Sequence, residues 1–213
     1  MKSFLSVEKP IVNEIIIEKS RFICSVMPVD GEDEAKNFVS SIKNKYKDAT
    51  HNCYAYVADE GGFYVKFSDD GEPQGTAGMP MLEVLKNRKL FKVAVVVTRD
   101  FGGIKLGAGG LVRAYSDCVC KGLDLANIIN YVYSTLVNLE VSFSAYPKIL
   151  KYFSSETLKV MSTEFTDSGV IINFAIPSEE LEKVKASILD ICSGKCEMKI
   201  LENSYEVYKK WKL

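Results

Sequence analysis

The stretch from Phe91 to Thr98, Phe-Lys-Val-Ala-Val-Val-Val-Thr, limits the fold more than any other in the chain. Five of its eight residues are β-branched. A short apolar run without polar alternation is what a buried strand requires, because a half-buried strand alternates polar and apolar residues. The chain then passes through Gly102-Gly103-Ile104-Lys105-Leu106-Gly107-Ala108-Gly109-Gly110 into a helical pattern over about 108–127. A buried strand, a glycine-rich loop and a long helix therefore form the spine of the first domain.

The remaining elements arrange themselves around that spine. Ile11 to Glu18 and Arg21 to Val29 are apolar, β-branched runs joined at Lys19-Ser20, the pattern of a hairpin. Ala35, Phe38, Val39, Ile42 and Tyr46 recur at helical spacing, predicting a helix over 31–47. Cys53 to Ala58 and Phe63 to Phe67 flank the turn residues Asp59-Glu60-Gly61-Gly62, and a helix is expected over 77–86 with Thr76 as its N-cap. From about residue 135 the order is strand, helix, strand, strand, helix, strand, ending in Cys196 to Leu201 with Tyr205 to Lys209. That is the split βαβ plan of ferredoxin-like domains. The chain thus reads as an α+β protein with domains over 1–133 and 134–213.

Its 27 basic and 28 acidic side chains nearly cancel. That balance argues against binding to DNA or an anionic membrane through bulk charge, since such binding scales with the phosphates neutralised, and leaves room for a local basic patch. No apolar run reaches the roughly 18 residues that span a bilayer, and Met1 to Glu8 lacks the core of a signal peptide. A cytosolic location is expected. The six cysteines include no Cys-x-x-Cys pair and accompany a single histidine, so no metal site and no cofactor are expected.

Four blocks in the first domain carry a resemblance. They are Glu18 to Ile23 (Glu-Lys-Ser-Arg-Phe-Ile), Ala49 to Ala55 (Ala-Thr-His-Asn-Cys-Tyr-Ala), Ser68 to Gly78 (Ser-Asp-Asp-Gly-Glu-Pro-Gln-Gly-Thr-Ala-Gly) and Val97 to Tyr115, which contains the glycine loop. In this order and spacing they resemble the IMPACT/YigZ family, and the resemblance covers the whole chain. It implies an N-terminal β-α fold shared with a domain of a small-subunit ribosomal protein. It implies a C-terminal ferredoxin-like domain similar to the last domain of elongation factor G. Eukaryotic relatives are translation regulators that bind a ribosome-associated kinase activator. The resemblance therefore implies a non-enzymatic partner of RNA, the ribosome or a ribosome-bound protein. Where the family usually carries an aromatic residue before Phe-Gly-Gly, this chain has Asp100.

The glycine loop is the leading candidate site. Glycines admit close approach of a ligand, and the helix N-terminus after them presents free N–H groups to an anion. Arg99, Lys105 and Arg113 would add charge, with Gly102, Gly103, Gly107, Gly109 and Gly110 as the backbone contacts. The alternative is a tight strand-to-helix connection whose glycines serve packing. A small phosphorylated ligand of an enzyme or sensor ranks behind both, because the lysine precedes the glycines and no Walker pattern follows. Asp69, Asp70 and Glu72 stand among turn residues and lack an EF-hand register, so they read as turn chemistry and surface contacts, as do His51 and Asp100. His51 and Cys53 share a strand face, yet one histidine and one thiol without an orienting third group do not make a hydrolase. The basic run Lys86 to Lys92 either follows a phosphate backbone or is a charged turn before a buried strand, the commoner case, and Tyr205, Tyr208 and Trp211 read first as packing over the sheet and only second as a base-stacking surface.

Overall fold

The computed structural model describes residues 3–156 and 158–208. Trp211 and the expected strand end at Lys209 lie outside the described residues. The described residues divide into two compact units, 3–129 and 130–208.

In the first unit the elements run β1 (Ser3–Val7), β2 (Ile11–Ile17), β3 (Ser20–Pro28), α1 (Glu32–Lys45), β4 (His51–Val57), β5 (Val65–Ser68), α2 (Gly78–Asn87), β6 (Val93–Asp100) and α3 (Gly107–Asp124). Strands β2 to β6 form an antiparallel sheet in the order β2-β3-β6-β4-β5. The central strand is β6, buried along almost its whole length, as its apolar run demands. Its alternation divides the core. Val93, Val95 and Val97 pack with Met81, Leu82 and Leu85 of α2 and with Leu111, Tyr115, Cys118 and Val119 of α3. Ala94 and Val96 face Ala35, Phe38, Val39 and Ile42 of α1. The next residue on the α2/α3 side is Arg99, and this positions the site described below. β1, which the sequence pattern did not reveal, contributes Val7 to the core and is held by the Leu5–Leu90 bridge and the Phe91 N–H to Leu5 carbonyl bond of 2.9 Å.

The β2–β3 hairpin turns at Glu18 and Lys19, both with left-handed φ of 45° and 64°. Such a two-residue turn matches the twist of the strands it joins. α2 is not capped by Thr76, whose hydroxyl donates to the Pro73 carbonyl at 2.7 Å. Asp69 does the capping from eight residues before the first donor. Its Oδ1 accepts the Ala77 and Gly78 N–H groups at 3.0 and 2.8 Å, and its Oδ2 accepts that of Gly75 at 2.9 Å.

β7 (Ile128–Val141) leads into the second unit, which continues with α4 (Tyr146–Phe153), β8 (Lys159–Phe165), β9 (Val170–Pro177), a 3-10 turn (Ser178–Glu180), α5 (Leu181–Ile191) and β10 (Cys196–Tyr208). Its antiparallel strands follow the order β10-β7-β9-β8. That is the split βαβ arrangement. One sheet face packs Val137, Leu139, Ile172 and Phe174 against Ile149 and Phe153 of α4 and Val184 and Ile188 of α5. The other carries a polar ladder, Asn138 donating to Asn173 at 2.8 Å and Asn173 donating to Ser162 at 2.9 Å. The two strand segments expected before residue 209 are one strand, β10, with an irregularity between Ile200 and Asn203.

Gly102 is the glycine with the least room. A Cβ there would stand 2.0 Å from the Lys19 carbonyl carbon and 2.5 Å from the Ser20 nitrogen. Both are backbone atoms of the β2–β3 turn and cannot step aside. Gly102→Ala should therefore destabilise the protein by about 3 kcal/mol, the upper end of overpacking costs. Thermal melting followed by circular dichroism checks this, with Gly109→Ala as the control, since only the far end of Arg113 lies as near as 4.0 Å to a Cβ at that position.

Candidate functional site

Where β6 ends and α3 begins, the first unit has a cleft of about 430 Å³. Thr50 and His51 border it from β4 and its approach, Glu72 and Pro73 from the loop before α2, Arg99 from β6, and Lys105, Gly107 and Ala108 from the glycine-rich junction.

A buried ion pair underlies the cleft. Arg99 and Glu72 are only 5% and 8% exposed, and Arg99 Nη1 donates to Glu72 Oε1 at 2.7 Å. The same oxygen accepts the Tyr115 hydroxyl at 2.8 Å. Arg99 Nη2 donates to Ser20 Oγ at 3.2 Å, and that hydroxyl also accepts the Gly102 N–H at 3.1 Å. The guanidinium carbon lies over the rings of Phe22 and Phe101, 5.3 and 5.4 Å from their centres. Charged groups survive burial only when paired and hydrogen-bonded in this manner.

Cys53 and His51 do share a face, but they do not meet as nucleophile and base. The Cys53 thiol donates to the Asp69 carbonyl at 2.9 Å and lies 3.3 Å from the Tyr115 hydroxyl. Burial, reinforced by the charges of Glu72, Asp70 and Asp69 and only partly offset by the Tyr115 hydrogen bond, pushes it up to about 12. The thiol thus stays protonated, hence weakly nucleophilic, at neutral pH. Burial likewise drives Tyr115 well above the ordinary tyrosine range. His51 Nδ1 lies 2.9 Å from the Asp70 carbonyl, and its Nε2 lies 3.9 Å from Glu72 Oε2.

The sequence-selected residues thus separate into groups. Arg99, Lys105, Gly107, His51 and Glu72 converge on the cleft. Arg113 turns back along its own helix, its Nε donating to the Gly109 carbonyl at 3.2 Å. Gly103 is exposed at φ 88°, while Gly109 and Gly110 lie in the first turn of α3. Asp70 accepts from Lys43 at 2.5 Å and from the Asn52 N–H at 2.7 Å. Asp100, on the opposite sheet face to Arg99, sits 3.6 Å from Arg21. Glu72 is corrected from surface contact to buried partner, because it neutralises Arg99. In the basic run, Arg88 pairs with Asp124 and Lys92 with Asp30, both at 2.7 Å. Sequence reasoning missed Tyr115, Ser20 and Phe101. For Arg99 the available signal was alternation, which continues the inward series Val93, Val95, Val97.

Among the described residues, no three His, Cys, Asp or Glu side chains form a metal-binding group, and no helix is long and apolar enough to cross a membrane.

Comparison with known proteins places this geometry in context. Residues 18–123 match the family model for the Impact N-terminal domain. The chain is 38% identical over 205 residues to the Bacillus subtilis (strain 168) protein called IMPACT family member YvyE, covering 96% of this chain and 94% of that one. It is 32% identical over 204 residues to IMPACT family member YigZ of Escherichia coli (strain K12), covering 95% and 100%. A solved crystal structure described as a hypothetical protein superposes with a TM-score of 0.61 at 32% identity, covering 95% of this chain and 98% of that one.

Cys53 yields a pH prediction. Its folded value lies above the ordinary 9.0, so the unfolded chain loses that proton first. The stability contributed below about pH 9 should be lost as pH rises toward about 12. Denaturant midpoints across this range should fall less steeply for Cys53→Ser than for the native chain.

Proposed function

The chain belongs to the IMPACT family, and from that membership we propose that it is a non-enzymatic, translation-associated binding protein of the cytosol that contacts RNA or the ribosome. The observation that carries this reading is the junction of β6 and α3. α3 is 18 residues long, its first turn has no side-chain cap, and Gly107 and Ala108 line a cleft beside Lys105. Unsatisfied N–H groups and the positive end of a helix dipole attract phosphate oxygens, and a lysine at the rim adds to that attraction. The protonated Cys53 thiol and the internally committed Arg99–Glu72 pair favour binding over group transfer. A ribosome-bound protein is the other partner that the family resemblance suggests.

A second reading, a small phosphorylated ligand, draws on the concavity of the site. Its volume of about 430 Å³ falls within the usual range for small-molecule pockets.

Arg99 is unsuitable for a test because its removal would strand Glu72. Sedimentation with ribosomes at low and high salt, comparing the native chain with the Lys105→Ala/Arg113→Ala variant, avoids that difficulty. We expect salt-sensitive association, with the salt slope falling by about one for each cation that meets a phosphate. Absence of association at low salt removes the reading. Association that survives nuclease treatment and high salt replaces RNA with a protein partner.

A further inference from the structure

The cleft contains two hydrogen-bond acceptors that the rest of the protein leaves open. Glu72 Oε1 is taken by Arg99 and Tyr115, whereas Oε2 accepts no hydrogen bond among the described residues. His51 Nε2 lies 3.9 Å from that oxygen. The Asp70 carbonyl facing Nδ1 can only accept, so Nδ1 carries the hydrogen and Nε2 of the neutral ring presents a lone pair. The Glu72 side chain is only 3% exposed. Yet neither Oε2 nor Nε2 is sealed from solvent as Arg99 Nε is, and both residues line the cleft. A carboxylate oxygen so deeply placed without a donor calls for a partner, and the cleft is the side from which one can reach it.

The charge balance selects that partner. Arg99 already neutralises Glu72, so a second cation would meet no uncompensated anion, and neutral donors suit the two acceptors. Two hydroxyls serve, each giving one O–H to one acceptor. The junction makes the opposite demand. Lys105 and the uncapped first turn of α3, through Gly107 and Ala108, line the same cleft and attract an anion. Pro73, Leu106 and Leu111 supply an apolar share of the wall.

We propose that this cleft receives a phosphorylated ribose unit. Its adjacent 2- and 3-hydroxyls donate, between them, to Glu72 Oε2 and His51 Nε2, and its phosphate is held by the first turn of α3 and Lys105. A furanose ring carries those two hydroxyls side by side on one face and its phosphate arm on the other, so one small ligand meets both demands. The C–H groups of the ring suit the apolar part of the wall. Arg99 remains the counter-ion of Glu72 and contacts no ligand. The inference rests on the reading of the β6–α3 junction as an anion-binding element. The unit has two sources with this chemistry, a free sugar phosphate or the 3′-terminal nucleotide of an RNA strand, whose diol is free and whose phosphate joins it to the chain. In the second case the 2′-hydroxyl is what separates RNA from DNA.

Calorimetric titration of the full chain with ribose 5-phosphate and its 2-deoxy and 3-deoxy analogues tests it. Loss of the hydroxyl that faces Glu72 should weaken binding about tenfold or more and loss of the other about fivefold, since hydrogen bonds to charged acceptors are the stronger. His51→Phe should weaken ribose 5-phosphate about fivefold yet leave unchanged the affinity for one analogue, the one lacking the hydroxyl that met the ring. A merely structural role of His51 would not produce that coupling. Lys105→Ala should weaken all three sugars by a common factor. Equal affinity for all three, binding of none, or an equal loss for all three in His51→Phe overturns the proposal. Tighter binding of a tetraribonucleotide with a free terminal diol than of the same strand ending in a 3′-phosphate supports RNA as the source. Failure of that tetraribonucleotide to displace ribose 5-phosphate supports the free sugar phosphate. Ribosome sedimentation of the same proteins separates the two readings. Association without ribose 5-phosphate or RNA-end binding overturns the ribose site and leaves the translation reading standing, whereas sugar-phosphate binding without association does the reverse.

Discussion

The Arg99–Glu72 ion pair is the interaction on which the N-terminal unit depends. Around one carboxylate oxygen and one guanidinium it collects β6, the loop before α2, α3 through Tyr115 and β3 through Ser20. Burying two charges is expensive, and breaking such a pair by removing one partner costs about 3–5 kcal/mol because the other is left uncompensated. The pair is therefore better understood as a positional constraint than as a source of net stability. It holds the end of β6, the acidic loop and the first turns of α3 in register, and the cleft is the space between those three ends.

Periodicity revealed the secondary structure because it is a local property. The apolar run at Phe91 to Thr98 predicted the central strand, found as Val93–Asp100, and the helical spacing from Ala35 to Tyr46 predicted α1. What stayed hidden was set by distant partners. β1 carries too few residues to show a period and is fixed by Leu90 and Phe91, more than eighty residues away. Thr76 had the right chemistry for a cap, but Asp69 reaches the same N–H groups from outside the local window.

The site was legible in a similar, partial sense. Its cations and glycines were picked out by residue type, yet their assignments came only with the fold. Arg99 looked like a phosphate ligand until the strand register turned it inward onto Glu72, 27 positions away in sequence. Asp69, Asp70 and Glu72 looked alike as members of an acidic turn. The structure gives them three tasks: a helix cap, a partner for Lys43, and a counter-ion for Arg99. Charge identifies a candidate, whereas burial and partner determine what it does.

The glycines of the junction separate what packing requires from what it does not. Gly102 is forced by the backbone of the β2–β3 turn, and Gly107 by a left-handed φ of 68° just as α3 begins. Gly110 would press a Cβ to within 3.0 Å of the Leu106 Cβ. Gly109 has none of these reasons. Its φ is ordinary, and nothing but the tip of Arg113 lies within 4.0 Å of a Cβ built there. A glycine inside a helix is nonetheless about 1 kcal/mol less favourable than alanine. The protein thus carries a local cost at the mouth of the helix that its own interior does not demand. A bare first turn does give something outside the chain close access to the α3 N–H groups, and that is what an anion-binding helix end requires.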